Sequence, residues 1–346
     1  MKIGLIGLEN AGKQSLFDLL TGLKEHTSHS ESHNIGVVSV PDERVDFIYN
    51  AYKPAKKVYA HIEFYKLPSV TKKSEETKKA LLSAKEVDII ALVIRSFKNE
   101  NVYHPLENID VNRDFSVLID ELILADLYIT ETRLERLALQ LKSKKDEFLL
   151  KEHNLILNLK EHLEKNELLN QIQFSESEQK ILRGYNFLTL KPIFVIVNCD
   201  EEDLSKEFSF QSNIKSINIC VKTELQLVDL EEKERKEYLK LLGIDEPGII
   251  RLIKFAYSCG NLITFFTVNE KEARCWAIKK GTTALKAAGT IHSDFEKGFI
   301  RAEVIHFDDF KKAGSESAAR KQGLYRLEGK DYIVQDGDII KFRFNV

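Results

Sequence analysis

Cysteine is scarce in this chain. Four residues (Cys199, Cys220, Cys259, Cys275) lie far apart, with no Cys-x-x-Cys pair. That argues against a disulfide framework or a zinc knot and fits a reducing compartment, so a cytoplasmic location is expected. Long apolar runs are also missing. None reaches the ~18 residues that a membrane span needs, so no membrane partner is expected. The opening stretch is apolar only from Ile3 to Leu8 and carries no small-residue cleavage site, so it reads as part of the fold rather than a leader. Excess charge of one sign is absent too. Lys+Arg number 51 against Asp+Glu 54, a formal net charge of −3. Such a balance argues against a protein that simply coats nucleic acid. With 43% hydrophobic and 30% charged residues among 346, the chain is neither disordered nor collagen-like. At ~100–200 residues per domain it has room for two or three domains.

What is present divides the chain into segments. Lys2–Gly7 (KIGLIG) is a short apolar strand, followed by a glycine-containing loop and helical spacing at Leu16, Phe17, Leu19 and Leu20. Strand, loop and helix in that order open an α/β nucleotide-binding domain. GVVSV (36–40), the alternating VYAHIEFY (58–65), and the apolar VDIIALVI (87–94) and IFVIVN (193–198) supply further strands, the last two as central parallel strands. From Asp114 to Leu182 there is neither glycine nor proline, and leucines recur at helical spacing on both sides of the charged stretch 142–147. This predicts two long antiparallel helices, a hairpin projecting from the α/β domain; ordinary surface helices read the same way. From Leu262 onward, ITFFTV, RCWAI, RAEVI, DYIV and IIKFRF are short strands punctuated by glycines, with one helix near 283–290. This last segment carries about +3 and the remainder −6, which permits an RNA-facing surface without requiring one.

Residues 7–15, GLENAGKQS, approximate the phosphate loop GxxxxGK[ST]. Asn10, Ala11, Gly12, Lys13, Gln14 and Ser15 are the candidate phosphate-binding residues. Backbone N–H groups and the N-terminus of the following helix would face phosphate oxygens, with Lys13 adding a charge. Gln14 breaks the pattern where a Ser or Thr hydroxyl would ligate Mg²⁺. Ser15 stands one residue late and is expected to point elsewhere, toward the α-phosphate. An inert strand–turn–helix remains the alternative.

GLENAGKQSLFDLLTG is similar to the GLPNVGKSTLFNALT opening of the YchF / Obg-like ATPase family. FFTVNEKEARCWAIKKGTTALKAAGTIHSDFEKGFIRAEVI and YRLEGKDYIVQDGDIIKFRFNV resemble that family's TGS domain, a β-grasp module, almost residue for residue. GVVSVPDERVD, NVYHPLENIDVNRDFSVLIDELILADL and FLTLKPIFVIVNCDEED resemble further segments, in the family's order. The resemblance implies an α/β fold: a discontinuous P-loop NTPase domain (1–130 and 183–261), a helical coiled-coil insertion (131–182) and a TGS domain (262–346). It implies binding and hydrolysis of ATP or GTP with Mg²⁺ as cofactor, and a ribosome or RNA partner reached through the TGS domain and the helical hairpin. A monomer is expected.

The same resemblance supplies base-binding candidates. Asn198-Cys199-Asp200-Glu201 matches the family's NxxE, where other GTPases carry NKxD. NxxE weakens guanine preference and favours ATP. Asn198, Cys199 and Glu201, with Cys220 and Phe97, are the expected base contacts; by themselves Asn198 and Glu201 read first as a strand-end turn capping a helix. His104 matches a histidine proposed to assist hydrolysis, although a lone loop histidine is otherwise a surface residue. The departures concern the metal. Where the family's DIAG motif supplies an Asp and a phosphate-sensing Gly, this chain reads Tyr65-Lys66-Leu67-Pro68-Ser69, followed by VTKKSEETKKALL without glycine. The family's Mg²⁺ positions are therefore Gln14 and Lys66 here. Ser30 aligns loosely with the first-switch Thr. His26, His29 and His33 near it are too loosely spaced for a strong metal set. Two readings follow: a YchF-like purine-nucleotide-binding protein whose hydrolysis is weakened or lost, or a non-hydrolysing binding module with the P-loop domain as scaffold. A GTP-specific switch comes third.

Overall fold

The computed structural model describes residues 1–22, 34–71, 75–143 and 146–345; Ser30 and the histidines 26, 29 and 33 lie outside the described residues. The strands are β1 (Lys2–Gly7), β2 (Ile35–Val40), β3 (Lys56–Val58), β4 (Ala60–Lys66), β5 (Ile89–Arg95), β6 (Ile193–Asn198), β7 (Ser216–Ile219), β8 (Leu262–Val268), β9 (Glu272–Lys279), β10 (Phe299–His306), β11 (Arg326–Glu328) and β12 (Asp338–Phe344). The helices are α1 (Lys13–Thr21), α2 (Glu43–Tyr52), α3 (Glu75–Ala84), α4 (Val111–Ser143), α5 (Glu147–Glu164), α6 (Glu176–Leu182), α7 (Val221–Asp229), α8 (Glu232–Leu241), α9 (Gly248–Cys259), α10 (Ala284–Ile291), α11 (Ser293–Lys297), α12 (Phe307–Ala313) and α13 (Glu316–Lys321). The chain falls into two compact units, Met1–Val37 with Glu63–Leu252, and Val38–Ile62 with Ile253–Val346.

The first unit is built on a sheet of order β2-β4-β1-β5-β6-β7, in which the pairs β4–β1, β1–β5, β5–β6 and β6–β7 are parallel. Strands β5 and β6 are buried at every position, as unbroken apolar runs must be when both faces are covered. β1 lies between β4 and β5, so the winding reverses there, and the crevice beyond its carboxyl end is where such sheets take ligands. Helix α4 has 33 residues, about 50 Å. Its first half buries Phe115, Leu118, Ile119, Leu122 and Ile123 in the core, and after Thr130 only Leu137 remains buried. Asp126 is fully buried and accepts from the backbone N–H of Leu188 (2.9 Å) and of Thr189 (2.7 Å), and from the Thr189 hydroxyl (2.7 Å). Helix α5 runs back along α4, joined by Arg133–Glu152 (2.8 Å) and Lys160–Glu131 (3.1 Å). The hairpin is thus the end of one continuous helix that starts at Val111, close to the Asp114 expected from the spacing.

The second unit holds a mixed sheet of order β11-β10-β12-β8-β9-β3. β10 is antiparallel to β11 and β12, β8 is antiparallel to β9, and β12–β8 and β9–β3 are parallel. Ala284, Ala287 and Ala288 of α10 pack into one core with Ile263, Phe265, Ile278, Val304 and Ile340 of the sheet. Two sequence expectations are corrected. The alternating run 58–65 is two strands in two sheets: β3 pairs with β9, while β4 pairs with β1. DYIV is not a strand. Its Tyr332 carbonyl accepts from the Ala284 N–H (2.7 Å) at the start of α10, and only Ile333 forms an isolated bridge. The residues cap a helix terminus instead of extending the sheet.

Candidate functional site

The loop from β1 to α1 is fixed by two glycines. A Cβ at Gly7 would lie 2.3 Å from the Val93 carbonyl oxygen, so only glycine lets β1 approach β5 this closely. Gly12 has φ +87°, a left-handed conformation, and a Cβ there would lie 2.3 Å from Asn198 Nδ2. Asn10, also left-handed at φ 59°, donates from its side-chain amide to the Tyr103 carbonyl (3.0 Å). Ala11 is buried, and its carbonyl accepts from Asn198 Nδ2 (3.2 Å). Lys13 turns back into the loop. Its ammonium donates to the carbonyls of Gly7 (2.9 Å) and Leu8 (2.8 Å) and to Ser69 Oγ (2.9 Å), which occupies all three of its donors. Burial pushes this ammonium down to about 8; Glu9 and Glu76 oppose the shift and Lys66 adds to it.

Gln14 and Lys66 are brought together. The Lys66 ammonium donates to Gln14 Oε1 and sits 5.9 Å above the Phe17 ring. The other end of the Gln14 amide donates to both carboxylate oxygens of Asp18 (2.7 and 2.8 Å). The segment after β4 is laced to β1: Leu67 N–H donates to the Leu5 carbonyl (3.1 Å) and Val70 N–H to the Gly7 carbonyl (3.0 Å). Ser69, held between these anchors, is thereby delivered to Lys13.

A cleft of about 440 Å³ opens beside the loop, lined by Gly12, Ser15, Phe97, Lys98, Asn99, Asn198, Cys199, Asp200, Val221, Lys222, Leu225 and Gln226. Asn198 ends β6 and organises the cleft. Its carbonyl accepts from the N–H of Ser96 (2.8 Å) and Phe97 (3.1 Å), and its Oδ1 accepts from the Val221 N–H (3.3 Å). Burial pushes the Cys199 thiol up to about 12, which keeps it neutral. Glu201 and Cys220 are not among the lining residues. The Glu201 carboxylate accepts from Thr223 Oγ1 (2.5 Å) and the Tyr238 hydroxyl (3.2 Å), and Cys220 is buried with Thr223 Oγ1 at 3.1 Å from its sulfur.

His104 is only 5% exposed. Its Nδ1 accepts from the Leu106 N–H (3.2 Å), which leaves Nε2 to donate to Asp114 (2.9 Å). Neither ring nitrogen is offered to the cleft in this conformation. Sequence reasoning missed Arg95, whose buried guanidinium donates to the carbonyls of Phe97, Asn99, Val102 and Tyr103 and stacks on the Phe97 ring at 4.5 Å. It shapes the loop that carries Phe97. A lone cation ending the apolar run IIALVIR was the available signal. Asp200, whose carboxylate accepts from the Lys98 N–H (3.0 Å), was also missed.

Residues 262–345 match the family profile YchF-GTPase_C, described as a protein of unknown function (DUF933). The chain is 36% identical over 362 aligned positions to the ribosome-binding ATPase YchF of Bacillus subtilis, covering 99% of each. It is 38% identical to the protein of that name from Pasteurella multocida, covering all of this chain and 99% of the relative. The structure of the Schizosaccharomyces pombe YchF GTPase superposes with a TM-score of 0.85 at 28% identity, over 99% of this chain and 97% of that one. With more than a third of its residues shared along its whole length with such relatives, the chain belongs to the YchF family.

Proposed function

We propose that the protein binds a purine nucleotide in the cleft beside the phosphate loop, ATP in preference to GTP, and that it associates with the ribosome as its relatives' names describe. The observation that carries the nucleotide reading is the convergence of Gly12, Ser15, Phe97 and Asn198 on one cleft at the sheet's switch point. Guanine recognition needs a free carboxylate for N1–H and the exocyclic amine. The Glu201 carboxylate does not line the cleft and turns instead to Thr223 and Tyr238, both on Oε1, which favours adenine. The hairpin supports a macromolecular partner, because Tyr128, Leu139 and Phe148 are 72%, 66% and 60% exposed there.

Mg²⁺ does not fit the residues at the family's two metal positions. One is an ammonium, and the other is an amide held at both ends by that ammonium and by Asp18. Metal-assisted hydrolysis is therefore weakened or lost on this reading. A second reading, a binding module with the P-loop domain as scaffold, is favoured by one observation: all three Lys13 donors are satisfied within the protein.

Calorimetric titration with ATP and with GTP tests the first reading. Saturable binding with ATP the tighter ligand is expected, and no heat with either nucleotide would leave only the scaffold reading. Co-sedimentation with ribosomes tests the partner. It is expected to weaken when Tyr128 and Leu139 are both changed to Ser.

A further inference from the structure

The arrangement around Gln14 points to a positive charge that the chain itself supplies where a metal ion would otherwise sit. We propose that Lys66 is a built-in counter-cation for the phosphate tail, and that the ligand of this site is the metal-free nucleotide. The inference rests on the nucleotide reading above and goes beyond it to the ionic form of the ligand.

Lys66 ends β4, and its register partner on β1 is Leu5, two residues before the phosphate loop begins at Gly7. Its ammonium reaches the first turn of α1 and donates to Gln14 Oε1. Among the described residues, Gln14 is its only hydrogen-bond partner, so two of its three donors remain for phosphate oxygens. Gln14 is in turn fixed by the two bonds to Asp18, one turn along the same helix. Asp18 thus orients the amide so that its oxygen, not its NH₂, faces Lys66. The charges nearby are those of Lys13 and Lys66, with Asp18 tied up by Gln14 and with Glu9 and Glu76 acting on Lys13. Two ammonium groups beside a helix N-terminus suit the high negative charge of an unchelated polyphosphate. A dication bound to the same tail would bring a like charge against Lys66 and would find only an amide oxygen already accepting a proton.

The test is titration of the full chain with ATP in EDTA and in excess MgCl₂, at matched ionic strength. Wild type is expected to bind metal-free ATP at least about fivefold tighter than the magnesium complex. Lys66→Met, which keeps an apolar stem over Phe17, is expected to weaken metal-free binding about tenfold, the value of one charge-assisted contact, and to abolish the difference between the two buffers. The double change Gln14→Ser with Lys66→Asp is expected to invert the preference, so that ATP binds only with Mg²⁺. Tighter wild-type binding in MgCl₂, or no effect of Lys66→Met in a variant with wild-type thermal unfolding, overturns the counter-cation and leaves nucleotide binding standing. Absence of binding in both buffers overturns the nucleotide reading itself, and the inference with it.

Discussion

Raising the pH is expected to act on this protein in two opposite ways through one side chain. Lys13 is 7% exposed, and burial lowers its ammonium from 10.5 to about 8. With that value about nine-tenths of the groups are charged at about pH 7 and about one-tenth at about pH 9. Phosphate recognition needs the charged form, and above pH 7 the phosphate tail is already ionised. Nucleotide affinity should therefore fall about tenfold across this interval. Stability should move the other way. Between 8 and 10.5 the unfolded chain holds the Lys13 proton and the folded chain releases it, so the unfolded state binds more protons. The contribution of Lys13 thus becomes more favourable as pH rises through that window, by about 3 kcal/mol when complete. The assay is titration of ATP at fixed ionic strength from about pH 7 to about pH 9, paired with urea unfolding of wild type and Lys13→Met at about pH 7 and about pH 10. A flat affinity profile, or a stability difference between wild type and Lys13→Met that does not change with pH, would refute the reasoning.

Other perturbations follow from the packing. Gly12→Ala forces a Cβ to 2.3 Å from Asn198 Nδ2 at a positive φ; a loss of about 2–4 kcal/mol in denaturant unfolding is expected, together with loss of nucleotide binding. Asp126→Asn turns an acceptor of three hydrogen bonds into a group with one acceptor oxygen and a misplaced NH₂; it should cost about 2–3 kcal/mol in urea unfolding and leave the ATP titration unchanged. His104→Ala leaves Asp114 buried with only Arg113 for a charged partner; it should lower stability by about 2–4 kcal/mol while changing ATP affinity less than about twofold, as read by paired melts and titrations.

Legibility in the sequence followed the range of the interactions. Strands β1, β5 and β6 were readable because a strand buried on both faces must be an unbroken apolar run. The loop at 7–13 was readable because its glycines answer local demands, a close approach to Val93 and a positive φ. The division of VYAHIEFY between two sheets was not readable, because period-two alternation records which side chains turn inward and not which strand lies alongside. For the same reason nothing local shows that 38–62 joins the C-terminal unit, which depends on β3 pairing with β9 more than two hundred residues away. Helical periodicity is continuous from Val111, so it carries no mark where α4 leaves the core. At the site, the phosphate-loop pattern brought out Gly12 and Ser15 and the family resemblance Phe97 and Asn198, and the four meet in one cleft. Both were silent on the links Lys13–Ser69, Lys66–Gln14 and Glu201–Thr223, because each joins residues from different elements by a side-chain contact.

The length of α4 makes it a lever. Asp114 near its base holds His104, the neighbouring Tyr103 carbonyl receives the Asn10 amide of the phosphate loop, and the helix then runs without a break to Ser143. No proline or glycine along it offers a hinge. Over the 17 residues from Asp126 to Ser143, about 26 Å, a tilt of about 10° about the Asp126 clamp sweeps the far end through about 4.5 Å. The Asp126 clamp, roughly two-fifths of the way from Asp114 to Ser143, fixes where that lever pivots.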